Sequence, residues 1–129
     1  NYLGKAEAAL AALQSRDFVY LHVEAPDEAA HAGNLVDKIA AIEAFDEKVV
    51  GTVVDGLQAF GDYRILVLPD HPTPVRKMTH TLDPVPYALY GSDGVFPPVG
   101  QVDGFSEKEA HATGGYLARG HEMMQRLLG

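Results

Sequence analysis

The chain has 129 residues, a length that suits one domain with a real core, and 47% of them are apolar. Ten basic against eighteen acidic residues leave a net charge of −8, which argues against a nucleic-acid backbone or an anionic membrane surface as partner and suits a protein that holds cations. No cysteine is present, so disulfides and thiolate metal sites are excluded, and any metal must be held by Asp, Glu and His.

The apolar stretches fall far short of the ~18 residues that a membrane span needs. The chain opens on "NYLGKAEAAL", which reads as a capped amphipathic helix rather than a signal peptide. It lacks an initiator Met, and the expectation is that a segment upstream has been removed.

"GKAEAALAALQSRD" predicts a helix with Leu10 and Leu13 on one face. "FVYLHVE", residues 18–24, is rich in β-branched and aromatic residues and predicts a strand. "APDEAAHAG" reads as a loop or one helical turn. A long helix is expected from an N-cap at Asn34 to a C-terminal cap at Gly61. Along it Leu35, Ile39, Ile42, Phe45, Val49, Val53, Leu57 and Phe60 recur every three or four residues. Gly51 and Gly56 weaken its interior slightly. "YRILVLP", residues 63–69, is a short apolar strand, followed by a Pro- and Thr-rich loop over 70–84 and a third strand, "VPYALYG", over 85–91. Residues 92–104 are irregular, and two short helices near 106–112 and 119–128 finish the chain. No repeat, low-complexity segment or linker is visible.

Strand, long helix, strand is a βαβ unit, whose right-handed crossover makes the two strands parallel. Both strands then end at the carboxyl edge of the sheet, where open α/β sheets bind ligands. Strand 18–24 runs into Asp27 and His31, and strand 63–69 into Asp70 and His71. His80 lies in a loop long enough to return to the same edge. Pro26 suits the first position of a helical turn, which sets Asp27 and His31 as an i, i+4 pair on one face. His71 precedes Pro72 and is pushed to extended dihedrals, so a tight change of direction lets Asp70 and His71 point at one region. Each pair alone is weak: Asp70 reads equally as a cap and His71 as a satisfied loop histidine. Five such residues converging on one edge make a metal site the alternative to these structural readings. His22 reads as structural, and His111 and His121 as surface residues. Ser15, Ser92 and Ser106 lie in no nucleophile elbow, no P-loop or dinucleotide fingerprint appears, and Gly114–Gly115 reads as a turn.

Taken together, "FVYLHVEAPDEAAHAGNLVDKIAAIEAFD", "ILVLPDHPTPV", "THTLDPVPYALYG", "FSEKEAHATGGYL" and "GHEMMQRLLG" resemble the alkaline phosphatase superfamily. Within it the chain is similar to the cofactor-independent (2,3-bisphosphoglycerate-independent) phosphoglycerate mutases, archaeal-type branch. Family members carry Gly where this chain has Ala30, a residue that still fits a helical turn. The resemblance implies an α/β fold, a three-layer α/β/α arrangement with a mostly parallel sheet, of which residues 1–129 are the C-terminal portion. It implies two divalent metal ions (Mn, Mg, Zn or Co), one on Asp27, His31 and His80 and the second on Asp70 and His71. The nucleophilic Ser and a further Asp ligand would lie upstream, so the implied function is that of a C-terminal fragment, inactive alone, of a cytoplasmic, glycolytic isomerase. That enzyme interconverts 3-phosphoglycerate and 2-phosphoglycerate through a phosphoserine. The expected partner is phosphoglycerate, with no nucleic acid and no membrane, and the isolated chain is expected to bind metal weakly and to self-associate. The competing expectations are another superfamily phosphotransferase, such as a phosphopentomutase or a phosphatase, and a non-catalytic metal-binding module.

Overall fold

The structure, a computed structural model, describes residues 1–129. The chain divides into two compact units, the first made of residues 1–61 and 73–81 and the second of residues 62–72 and 82–129. No helix is long and apolar enough to cross a membrane.

The first unit is helical. α1 spans Tyr2–Leu13, and the Asn1 side chain caps it by accepting from the Gly4 N–H at 3.0 Å. Its alanine face, Ala6 and Ala9, is buried. α2, Ala25–His31, is a full seven-residue helix where the sequence left loop or turn open. Pro26 sits in its first turn with Asp27 and Glu28, whose carboxylates suit the positive end of the helix dipole. The helix closes in a Schellman motif: Asn34 N–H donates to the Ala29 carbonyl at 2.9 Å and Gly33 N–H to the Ala30 carbonyl at 3.0 Å. Gly33 takes the left-handed conformation this requires, at φ +69°. Asn34 then starts the next helix at once, accepting from the Asp37 N–H at 3.0 Å.

The expected long helix is present but not uniform, and it ends at Leu57 with Gln58 as its cap, short of the expected cap at Gly61. α3, Leu35–Phe45, passes into a π-helical turn, Asp46–Gly51, and then into α4, Thr52–Leu57. The spacing explains the interruption. Phe45, Val49, Val53 and Leu57 are separated by successive four-residue steps, which outrun a 3.6-residue turn, and a wider turn absorbs the drift. Val49 and Leu57 both end up buried. Gly56 has a packing reason: a Cβ there would collide with the Leu10 side chain, so the glycine admits α4 close against α1. By contrast the N-terminal stripe of α3 is bare, with Leu35, Ile39 and Ile42 about half exposed or more. Together with Pro74, Val75 and the stems of Lys38, Arg76 and Lys77 they line an open groove.

Residues 18–24 correct one expectation. Their side chains alternate between exposed and partly buried from Phe18 to Glu24, as in a strand, but they join no ladder. Propensity can extend a backbone; a strand also needs a neighbour to receive its N–H and C=O groups. Lys5 Nζ instead donates to the His22 carbonyl at 2.7 Å, and the Glu24 carbonyl accepts from the Asp27 and Glu28 N–H groups where α2 begins.

The second unit holds the sheet. β1, Arg64–Val67, pairs with β2, Ala88–Gly91, in register Arg64 with Gly91 and Val67 with Ala88. This ladder is antiparallel, so the parallel pairing expected from a βαβ unit is not what the strands form. The segment that should have supplied the parallel neighbour, 18–24, is unpaired, and β1 finds its partner later in the chain. α5, Glu107–Ala112, is capped by the Ser106 hydroxyl, and a 3₁₀ turn, Gly120–Glu122, leads into α6, Met123–Leu128. Both fall where the sequence placed short helices. α6 packs on β1 through buried Met123 and Leu127. Arg64 ties the unit together: it donates to the Leu127 carbonyl at 3.0 Å, pairs with Asp93 at 3.1 Å and lies over the Phe96 ring. The Val95 N–H, and after it the Arg64 guanidinium, hold the Asp93 carboxyl below the usual carboxylate range.

The Schellman glycine gives a direct test. A Cβ on Gly33 would stand 3.1 Å from Met78 Sδ in a conformation that L-residues avoid. Gly33→Ala is therefore expected to lower the unfolding free energy by about 1 kcal/mol or more, measured by urea denaturation. An unchanged midpoint would contradict the packing described.

Candidate metal centre

In the first unit, α2 and the loop 73–81 bring three predicted residues together. Asp27 and His31 lie one turn apart on α2, and Asp27 Oδ2 stands 3.3 Å from His31 Nε2. His80 reaches in from the loop, with its Nε2 3.5 Å from Asp27 Oδ1 and 3.1 Å from His31 Nε2. The two imidazoles are tilted by 54° rather than stacked.

The tautomer of His31 follows from its other nitrogen. Nδ1 lies 2.9 Å from the Met78 carbonyl, which can only accept, so Nδ1 carries the hydrogen. The neutral ring then presents a lone pair at Nε2 towards Asp27 and His80. Met78 takes φ +50°, the one non-glycine residue in the left-handed region. That strained backbone turns its carbonyl towards His31.

One anionic oxygen and two imidazole nitrogens form a donor set suited to a divalent cation. Ligands ~2.1 Å from a common ion stand about 3.0 Å apart at octahedral angles and about 3.4 Å apart at tetrahedral ones. The His31–His80 and His31–Asp27 Oδ2 separations, 3.1 and 3.3 Å, fall in that range, while His80 stands 3.5 Å from the other carboxylate oxygen, Oδ1. The donor chemistry of the three residues fits a divalent metal ion.

Two supporting residues were not singled out from the sequence. Thr73 is the one polar residue among the buried side chains, at 4% exposure, and its hydroxyl donates to Asp27 Oδ1 at 2.5 Å. Its carbonyl accepts from Lys38 Nζ at 2.7 Å. The prolines at 72 and 74 were a signal for a fixed backbone at this point, but nothing local tells a buried threonine from a solvated one.

In the second unit, Asp70 and His71 follow β1. His71 N–H donates to Asp70 Oδ1 at 3.1 Å, and His71 Nε2 stands 3.6 Å from Asp70 Oδ2, so these neighbours turn to one region. The remaining histidines lie elsewhere. His22 is exposed and stacks on Tyr20, and His111 and His121 are exposed on α5 and the 3₁₀ turn.

A chain with such a donor set, on a helix end and an adjoining loop, is of the metal-binding class, and the comparisons agree. Residues 1–127 match the Metalloenzyme superfamily, and the chain belongs to that family. It is 52% identical, over 99% of its length and 32% of the relative's, to a 2,3-bisphosphoglycerate-independent phosphoglycerate mutase of Methanothrix thermoacetophila. It is 50% identical, again over 99% of its length and 32% of the relative's, to a Geobacter sulfurreducens protein named "Probable 2,3-bisphosphoglycerate-independent phosphoglycerate mutase". Among solved structures it superposes on the PH0037 protein from Pyrococcus horikoshii with a TM-score of 0.87 at 32% identity, covering 99% of this chain and 37% of that one. The chain thus spans about a third of the length of the curated relatives it matches.

The hydrogen-bond geometry predicts that neutral His31 is the Nδ1–H tautomer. Long-range ¹H–¹⁵N correlation spectra of the imidazole region would report it, and an Nε2–H pattern for His31 would contradict the assignment.

Proposed function

We propose that this chain serves a 2,3-bisphosphoglycerate-independent phosphoglycerate mutase, an isomerase that interconverts 3-phosphoglycerate and 2-phosphoglycerate through a phosphoserine. The observation that carries the reading is the 52% identity to such an enzyme along 99% of the chain. On this reading residues 1–129 correspond to the C-terminal portion of a three-layer, mostly parallel, alkaline phosphatase-like domain, and the cytoplasm is its compartment. On the same reading the nucleophilic serine would lie outside residues 1–129.

Asp27, His31 and His80 would hold one divalent ion, and Asp70 and His71 would contribute to a second; Mn, Mg, Zn and Co all accept such ligands. Bound metal would supply charge neutralisation for a phosphoryl group and acidify a hydroxyl. The chain's own contribution is to orient and aim its donors. The Met78 carbonyl keeps the His31 hydrogen on Nδ1, and Thr73 occupies Asp27 Oδ1 while Oδ2 faces His31. Such preorganisation suits phosphoryl transfer, where alignment and electrostatics matter more than covalent work by the protein.

The whole polypeptide, supplied with Mn²⁺ and 3-phosphoglycerate, is expected to form 2-phosphoglycerate. His31→Ala and His80→Ala are each expected to lower kcat/KM at least a hundredfold. Release of inorganic phosphate without 2-phosphoglycerate would replace the mutase reading with a phosphatase. The 129-residue chain by itself is expected to associate through bare apolar surface such as Leu35, Ile39 and Ile42 on α3, to be read by light scattering. A monodisperse monomer would refute this.

A further inference from the structure

We infer that Thr73 is a positioning residue for the metal centre, acting through Asp27, with Lys38 as its anchor. The inference rests on the metal-binding reading of Asp27, His31 and His80 and adds to it a residue that orients without ligating.

An ionised carboxylate only accepts hydrogen bonds, so the 2.5 Å contact is the Thr73 hydroxyl donating to Asp27 Oδ1. Rotation of an aspartate about its last torsion is broad and nearly two-fold, so an unsupported Asp27 would sample many carboxylate planes. The bond from Thr73 selects one, the plane in which Oδ2 faces His31 Nε2. Thr73 can do this because it is itself fixed. It is 4% exposed and lies between two prolines, which restrict the backbone on both sides. Its carbonyl is held by Lys38 Nζ at 2.7 Å, from the second turn of α3. The relay links three segments: α3 through Lys38, the loop through Thr73 and α2 through Asp27. The buried hydroxyl is spent on a carboxylate, a charge-assisted bond that fixes acceptor and donor together. Its placement is explained by the demand on the carboxylate.

The test is Mn²⁺ affinity by calorimetry on the whole protein, with thermal melting of the metal-free form alongside. Thr73→Val keeps the shape and removes the donor. It is expected to weaken Mn²⁺ binding by roughly 10- to 100-fold, with the metal-free melting temperature little changed. Thr73→Ser restores the hydroxyl and is expected to bind nearly as the parent does. Lys38→Met leaves Thr73 in place but loosens it, with a smaller, roughly threefold loss; this variant reads the relay even if Thr73→Val folds poorly. Parent-like affinity in Thr73→Val, or failure of Thr73→Ser to recover it, would overturn the positioning role while leaving the metal site intact. A parent protein that binds no Mn²⁺ would overturn both.

Discussion

The Asp27 carboxylate is the point on which the first unit's chemistry depends. One oxygen accepts from Thr73, and the other faces His31; His80 approaches the first oxygen from the loop. Each of these partners is supplied by a different local device. The Schellman closure at Gly33 stops α2 just after His31, Asn34 launches α3 immediately, and Lys38 on α3 reaches back to the loop that carries Thr73 and His80. The helices are arranged so that a flexible acidic side chain becomes a rigid one.

Rigidity of this kind has an electrostatic consequence. Two imidazole nitrogens at 3.1 Å and a carboxylate within 3.5 Å of each concentrate electron density in a small volume. In water such lone pairs would be solvated separately; held together they favour a cation that meets all of them at once. The acidic balance of the chain as a whole points the same way. Membership of the Metalloenzyme superfamily is consistent with that economy of charge.

Elsewhere the chain buries little. No large side chain is fully buried, and the core of the first unit is assembled mainly from Ala6, Ala9, Ala30 and Ala41, with Val49 and Leu57. Leu35, Val36, Ile39 and Ile42 on α3, like Phe18 and Tyr20 on the unpaired extended segment, are left open. Exposed apolar stripes with strong periodicity read as contact surfaces rather than as chance. They are the features that a chain spanning a third of its relatives' length has in common with a domain seen in part.

Local patterns in the amino-acid sequence determined what each segment does by itself. Asn1, Asn34 and Ser106 mark helix starts, Gly33 permits a helix stop, and Asp27 and His31 share a face because four residues make about one turn. The absence of cysteine, which leaves Asp, Glu and His as the side chains open to a metal, was equally legible. Tertiary structure decided what a local pattern cannot carry. Residues 18–24 have strand propensity but no ladder, because pairing belongs to two segments and not to one. Thr73 and Asp27 are 46 residues apart, and His31 and His80 49 apart, so their contacts exist only once α2 and the loop have folded together. Spacing within a turn is set by covalent geometry; proximity across such separations is set by packing.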